Sequence, residues 1–390
     1  MGKRTTPINK NIRTLFVSQQ HVHIVMHDVP YPADFGGVVD LFYKLKWLHH
    51  FGVQIHLHCF VNKRPPQNIL HSFCATVHYY PRKKLGGLSL QLPYIVASRR
   101  SKALLHKLMQ DDYPVLLEGI HCCYELYKNN LPNKRILLRL HNVEFAYYKQ
   151  LAIHEKNIFK KIYYQMEARL LQRFEATIAA KAHKILTVSE DDVVTYQQHF
   201  KVNNCTFLPV FLPHQQVDSM VGKGKYWLYH GNLSVNENEV AAAWLIKNVA
   251  PQTILPFIIA GKNPSTYLKN LVKANSNITL VESPTTAHLH QLIQEAHINV
   301  LPSFNNTGVK LKLLNALYNG RFCLVNNAGT AGSGLDALCN IATDTNSFIT
   351  TINELSKQPF SENEKQHRSA ALNNLYNNAM NAQALVKMLL

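Results

Sequence analysis

The sequence predicts an α/β protein of two doubly wound, Rossmann-like domains, and three observations lead there. Short apolar runs rich in Val, Ile and Leu alternate with amphipathic helical stretches along most of the chain, the pattern of strands buried on both faces and joined by crossover helices. At 390 residues the chain is too long for one typical domain and comfortable for two. The alternation is interrupted at PVFLPHQQVDSMVGKGK, where Pro209, Pro213, Gly222 and Gly224 fall close together, and it restarts afterwards. The expected layout is a first domain over residues 1–210, a second over 211–360, and a long C-terminal helix over 361–390 that returns to brace the first.

In chain order, HIVMHDV reads as a first strand, PYPADFGG as its loop and VVDLFYKLKWLHHFG as the following helix. Gly36 and Gly37 stand where such folds bring backbone close to phosphates or sugars, although the loop is not a GxGxxG fingerprint. A turn that only reverses the chain reads equally well from this segment alone. VQIHLHCF, ATVHYY, PVLLEG and RILLRL supply further strands. Ligands in open parallel sheets bind beyond the carboxyl ends of the strands, where Glu118 and His141 lie, with Asn142 and Glu144 beside the latter. A lone strand-end histidine is more often structural; these polar neighbours favour a site. Residues 147–184 read as helices with exposed basic faces, which admit contact with an anionic membrane. A helix pair covering the sheet is the simpler reading, because no strong aromatic stripe accompanies the lysines. KILTVSEDDVVTY then gives a strand, a Ser189 cap and a helix.

In the second half YWLYHGN, PFIIAGK, ITLVES, INVLPSF and FCLVNN read as buried strands. Their carboxyl ends carry Gly231 and Asn232, Lys262 and Asn263, Glu282 and Ser283, and a loop that includes Asn305, Thr307 and Gly308. The stretch NTGVKLKLLNALYNG is the most informative. Its helix is expected to start near Thr307, whose hydroxyl would cap it, with Val309, Leu313, Ala316 and Leu317 on the core face. Lys310 and Lys312 then fall near the first turn, where the helix dipole disfavours cations. A phosphate docked at that helix start reverses the sign of the effect. Lys312, close to Gly308 and Asn315 on the helix wheel, is the first choice for its partner. Two solvated surface lysines are the plain alternative.

The net charge is +17, and the first 200 residues hold 27 Lys or Arg against 14 Asp or Glu. Such a surface suits nucleic acid, anionic lipid or a phosphate-bearing substrate, and no RNA-binding signature promotes the first. Seven cysteines without a C-x-x-C pair indicate reduced core residues. The pairs His21/His23, His56/His58 and His288/His290 lack a third ligand, so no metal site is expected. No apolar run approaches the ~20 residues that span a bilayer. The basic start MGKRTTPINKNIRTLF lacks the apolar region of a secretory signal, and a soluble cytoplasmic protein is expected.

PYPADFGG, LHNVEFAYY, YHGNLSVNENEVAAAWL, PFIIAGKNPS and NTGVKLKLLNALYNG, in that order, resemble motifs of the retaining GT-B glycosyltransferases of the family-four (group 1) type, closest to a Bacteroidetes subgroup. The resemblance covers the chain from about His23 onward. It implies two Rossmann-like domains facing across a cleft, and transfer of a hexosyl group from a nucleoside-diphosphate sugar to a glycan or lipid-linked acceptor with retention, in cell-surface polysaccharide or glycoconjugate synthesis. It places the diphosphate on the helix start at Gly308, with Lys312, Lys310 and Lys262 neutralising the departing charge. Gly36 and Gly37 would close over the phosphates, and His141 would contact the transferred sugar. Gly231, Asn232, Glu282, Ser283, Asn305, Thr307 and Asn315 complete the donor side. Glu118, Asn142 and Glu144 are placed on the acceptor side. The scheme needs no metal, no cofactor and no nucleic acid. Many relatives carry two acids eight apart at this helix, where this chain has Thr307 and Asn315. That departure keeps a catalytically silent nucleotide-sugar-binding protein among the alternatives, with a GT-B epimerase as another.

Overall fold

The computed structural model describes residues 20–389 apart from 35, 84–86, 88, 130 and 306; the basic start of the chain lies outside the described residues. The chain divides into two compact units, one of Met1–Thr187, Tyr196–Pro213 and Asn378–Leu390, the other of Val188–Thr195 and His214–Asn377. In the first, β1 (His21–Met26), β2 (Gln54–Val61), β3 (Thr76–Pro81), β4 (Val115–Glu118), β5 (Ile136–Leu140), β6 (Lys184–Thr187) and β7 (Cys205–Phe207) form one sheet. Its order is β3-β2-β1-β4-β5-β6-β7, and neighbouring strands run parallel.

The second unit repeats the plan with β8 (Trp227–Asn232), β9 (Phe257–Lys262), β10 (Ile278–Glu282), β11 (Ile298–Val300), β12 (Phe322–Val325) and β13 (Asn340–Ile341). The order β10-β9-β8-β11-β12-β13 is again parallel throughout. In each sheet the order reverses beside the first strand, between β1 and β4 and between β8 and β11, which is where doubly wound sheets open a crevice for ligands. The apolar runs form strands because both faces are covered; β4 and β5 are buried along their whole length. The edge strands β7 and β13, three and two residues long, were not legible, since they are too short to carry periodicity.

The expected single C-terminal helix is two helices, Glu362–Leu375 and Asn378–Leu389. The backbone leaves the helical region at Tyr376, whose hydroxyl donates to the Ser333 carbonyl at 2.7 Å. Asn378 then pairs with both backbone groups of Leu212, at 3.0 and 2.7 Å. The last helix sends Ala382, Leu385, Val386 and Leu389 into the core of the first unit with Leu41, Leu45 and Leu48. Among the described residues no helix is long and apolar enough to cross a membrane.

One close approach makes glycine obligatory. Gly261 pairs with Gly231 across β8 and β9, and a Cβ on it would lie 2.0 Å from the Gly231 carbonyl oxygen and 2.8 Å from Leu233 Cγ. Gly261→Ala is expected to destabilise the fold by about 1–3 kcal/mol, because the clashing atom is backbone. A lower urea midpoint at unchanged slope is the expected signature.

Candidate functional site

The site in the second unit grows from the carboxyl ends of β8, β9 and β10 and the loop after β11. Asn263 and Ser283, each directly after a strand, hold φ of +52° and +47°. Non-glycine residues in the left-handed region cost free energy and gather where function holds the backbone. The Ser283 N–H donates to the Gly261 carbonyl at 2.7 Å, which ties the ends of β9 and β10 together. Asn232 is exposed, and its side-chain oxygen accepts from the Ser234 hydroxyl at 2.8 Å. Lys262 and Glu282 are exposed as well, and Glu282 pairs with Lys269 at 2.6 Å.

The helix after β11 does not begin near Thr307 as expected. It spans Leu311–Asn319, because Gly308 takes φ +66°, a conformation outside the right-handed helix. The Thr307 hydroxyl donates to the Asn305 side-chain oxygen at 2.8 Å instead of capping, and the helix has no side-chain cap. Lys310 occupies the cap position, its ammonium turned back onto the carbonyls of Thr307 and Gly308 at 2.5 and 2.9 Å. Lys312 reaches Asn238 Oδ1 at 3.1 Å and the Tyr229 hydroxyl at 3.3 Å, with its ammonium 4.9 Å from the Tyr229 ring centre. Burial pushes both lysines down to about 8, and the Lys310 charge adds to the effect on Lys312. Glu237 opposes both shifts and accepts from the Asn305 amide at 2.9 Å. An uncapped helix start with two crowded ammonium groups is a local excess of positive potential.

Other groups at this place were not singled out from the sequence. The buried His230 ring has no partner at Nε2, and burial together with Lys312 pushes it down to about 3, so it is neutral. Burial and Asp191 push Asp192 up to about 7, against the pull of Lys310. The string HGNLSVNENE was the available signal for Glu237 and Asn238, since it marks a strand-to-helix turn. Which side chains of the next helix meet Lys312 is not a local property. The Asn315 side-chain oxygen accepts from Asn319 at 2.8 Å, and Asn319 in turn pairs with His290 at 2.8 Å.

In the first unit Gly36 and Gly37 open the helix Gly36–His50, which carries Asp40 and Lys44 on its buried face. Lys44 donates to Asp40 at 3.0 Å and to Glu118 at 2.7 Å, and all three are almost completely buried. His141, with a side chain 17% exposed, sets Nε2 3.3 Å from Glu118 and Nδ1 3.7 Å from Asp40. Asp40 also accepts from the Phe211 N–H at 2.7 Å, and the Arg139 guanidinium lies 3.5 Å away. Burial works to raise the Glu118 carboxyl, but Lys44 and His141 outweigh it and hold the group below its ordinary range. Asp40 is depressed in the same way by Lys44, Arg139 and His141.

Glu118, expected on the acceptor side, has no exposed surface, and its carboxylate is engaged by Lys44 and His141. Glu144 is buried at the start of the helix Glu144–His154, while Asn142 is half-buried. The rings of His27 and His121 stack at 5.1 Å, and His27 meets His141 edge-on at 6.1 Å. Burial, His141 and Arg99 push His27 down to about 3. Ligand atoms of Asp40, Glu118 and His141 lie within 4.8 Å of one another, a spacing that suits a metal ion. The Lys44 ammonium already bridges the two carboxylates, so a cation would have to displace it.

Residues 224–358 match the family described as glycosyl transferases group 1, about a third of the chain and the part that holds the lysine-bearing helix. A Klebsiella pneumoniae relative described as an uncharacterized 44.6 kDa protein in the cps region is 28% identical over 331 residues, 80% of this chain and 84% of its own. Among solved structures, TarM superposes with a TM-score of 0.65 at 10% identity, covering 96% of this chain and 99% of its own. A UDP-forming α,α-trehalose-phosphate synthase from Burkholderia xenovorans gives 0.64 at 10% identity, over 95% of this chain and all of its own. Two Rossmann-like units of seven and six parallel strands and these likenesses together show the GT-B fold, with a group 1 glycosyl transferase match in the second unit.

Proposed function

We propose that the protein transfers a hexosyl group from a nucleoside-diphosphate sugar to a glycan or lipid-linked acceptor, with retention of configuration. The observation that carries this reading is the uncapped helix start at Leu311 with Lys310 and Lys312 crowded beside it, inside the stretch that matches the group 1 family. A diphosphate there accepts from free helix N–H groups and neutralises two ammonium groups, and charge developing on it during transfer is stabilised by the same groups. Lys262 adds a further cation from the end of β9. Gly231, Asn232, Glu282, Ser283, Asn305, Thr307, Gly308 and Asn315 are assigned to the nucleotide and sugar. On the first unit Gly36 and Gly37 are assigned to the donor, and His141, held by Glu118 and Asp40, to the transferred sugar. Asn142 and Glu144 remain the acceptor-side candidates. Front-face attack with a donor phosphate oxygen taking the acceptor proton needs no protein base.

A point mutant of S. aureus TarM was crystallised with UDP and α-GlcNAc-glycerol, which supports a nucleotide-sugar reading. The cps-region relative supports a place in surface polysaccharide synthesis. The test is calorimetric titration with UDP, GDP, ADP and their sugar conjugates without added metal. Micromolar binding of one nucleotide is expected, and no binding by any of them would sink the reading. His141→Ala is expected to keep that binding while lowering transfer by about 10²–10³-fold, as loss of one transition-state contact does. Thr307 and Asn315, which supply no carboxylate, favour a second reading, a silent nucleotide-sugar binder. Binding without any sugar transfer or hydrolysis would identify it.

A further inference from the structure

The helices Glu144–His154 and Ile158–Lys181 pack as a hairpin in the first unit, and the first turns of the second expose a run of apolar side chains. Phe159 is 81% exposed, Ile158 60% and Ile162 56%, with Tyr163 and Met166 continuing the same stripe at helical spacing. Ile153 adds a further exposed apolar side chain at the end of the first helix. A groove of about 540 Å³ between the helices is lined by Lys149, Lys161 and Arg169 together with Ala152, Ile153 and Ala168. From 149 to 173 six Lys or Arg stand against two Glu. Glu167 is buried and accepts from the Tyr94 N–H at 2.9 Å, and Glu155, half-buried, accepts from the Asn157 N–H, which leaves the lysines and arginines in excess.

Apolar side chains on a monomer surface mark a contact site when they are contiguous, and a surrounding excess of lysine selects its chemistry. A second copy would bring like charge against like charge. Nucleic acid would leave the isoleucines in water. We propose that this hairpin docks the protein on the surface of a membrane containing anionic phospholipid, with Ile158, Phe159 and Ile162 entering the acyl boundary and the basic groove gathering headgroup phosphates. The surface belongs to the first unit and the phosphate-binding helix to the second, so either proposal can fail without the other.

The experiment is co-sedimentation of the full chain with vesicles of phosphatidylcholine alone and of phosphatidylcholine mixed with phosphatidylglycerol. Binding to the mixed vesicles only, weakening as salt rises, is expected. Phe159→Ser with Ile162→Ser is expected to lower the partition tenfold or more, and Lys160→Gln with Lys161→Gln to abolish the preference for anionic vesicles. These side chains are exposed or half-buried, and an unchanged circular dichroism melting curve shows that the variants fold. Ile254→Ser, on the second unit and 72% exposed, is expected to leave the partition unchanged. The proposal is overturned by equal binding to neutral vesicles or by none. It is equally overturned by a concentration-dependent dimer that Phe159→Ser abolishes, or by inorganic phosphate binding without vesicle binding.

Discussion

Lys312→Ala is expected to weaken the proposed nucleoside-diphosphate binding by about 10–100-fold, the worth of a charge-assisted hydrogen bond of about 1.5–3 kcal/mol. The effect is large because the ammonium is held in place before the ligand arrives, by Asn238 Oδ1 and the Tyr229 hydroxyl, so little ordering is left to be done on binding. The pH dependence follows from the burial of the same ammonium groups. Lys310 and Lys312 sit at about 8 in the free protein, below the ordinary lysine range. An anion favours their protonated forms, so affinity is full near neutrality and falls as pH rises above about 8, and binding there takes up protons. Titration in two buffers of different ionisation enthalpy reads the uptake directly. An affinity that is flat between neutral and clearly alkaline pH would show that these lysines do not face the phosphates. In Lys312→Ala the alkaline fall should become shallower, since one titrating cation remains.

Lys44→Met costs about 3–5 kcal/mol of stability at neutral pH, because it leaves Asp40 and Glu118 as buried carboxylates without their shared cation. Arg139 still lies beside Asp40, whereas Glu118 keeps His141. The sign of the pH effect separates this from a packing loss. In the native protein both carboxyls are depressed, so they add stability that is present above the ordinary carboxylate range and fades as pH falls through their folded values. Without Lys44, burial dominates and raises them, and protonation in acid relieves the penalty. The difference between variant and wild type therefore shrinks from neutral to mildly acidic pH, read from urea midpoints. A deficit of equal size at both would mean that lost packing, not charge, is responsible.

The division of labour between sequence and fold is visible in these two clusters. The strands and the two-unit plan were legible because a strand buried on both faces writes itself as a continuous apolar run. Glu118 and His141 could be placed at strand ends for the same reason. That Glu118 is sealed under Lys44 could not, since the two are 74 residues apart and a lysine in VVDLFYKLKWL reads locally as surface. The helix start was misplaced because Thr307 looks like a cap, while the positive φ of Gly308 decides otherwise. Over residues 147–184 the sequence favours a helix pair covering the sheet, for want of a strong aromatic stripe, and only solvent exposure shows that the side chains from Ile158 to Met166 face outward.

Local periodicity determined most of the strands and helices, the edge strands β7 and β13 and the break at Tyr376 excepted, and hence that two parallel sheets present the ends of β1, β4, β8, β9 and β10 along their carboxyl edges. The tertiary structure decided which side chains meet there: Lys312 with Tyr229 and Asn238, 83 and 74 residues away, and His141 with Asp40 and Glu118. The reason is physical. Secondary structure follows from the spacing of apolar residues over a few turns, whereas a charge's partner, its burial and its proton affinity depend on segments that meet only when the crossovers close.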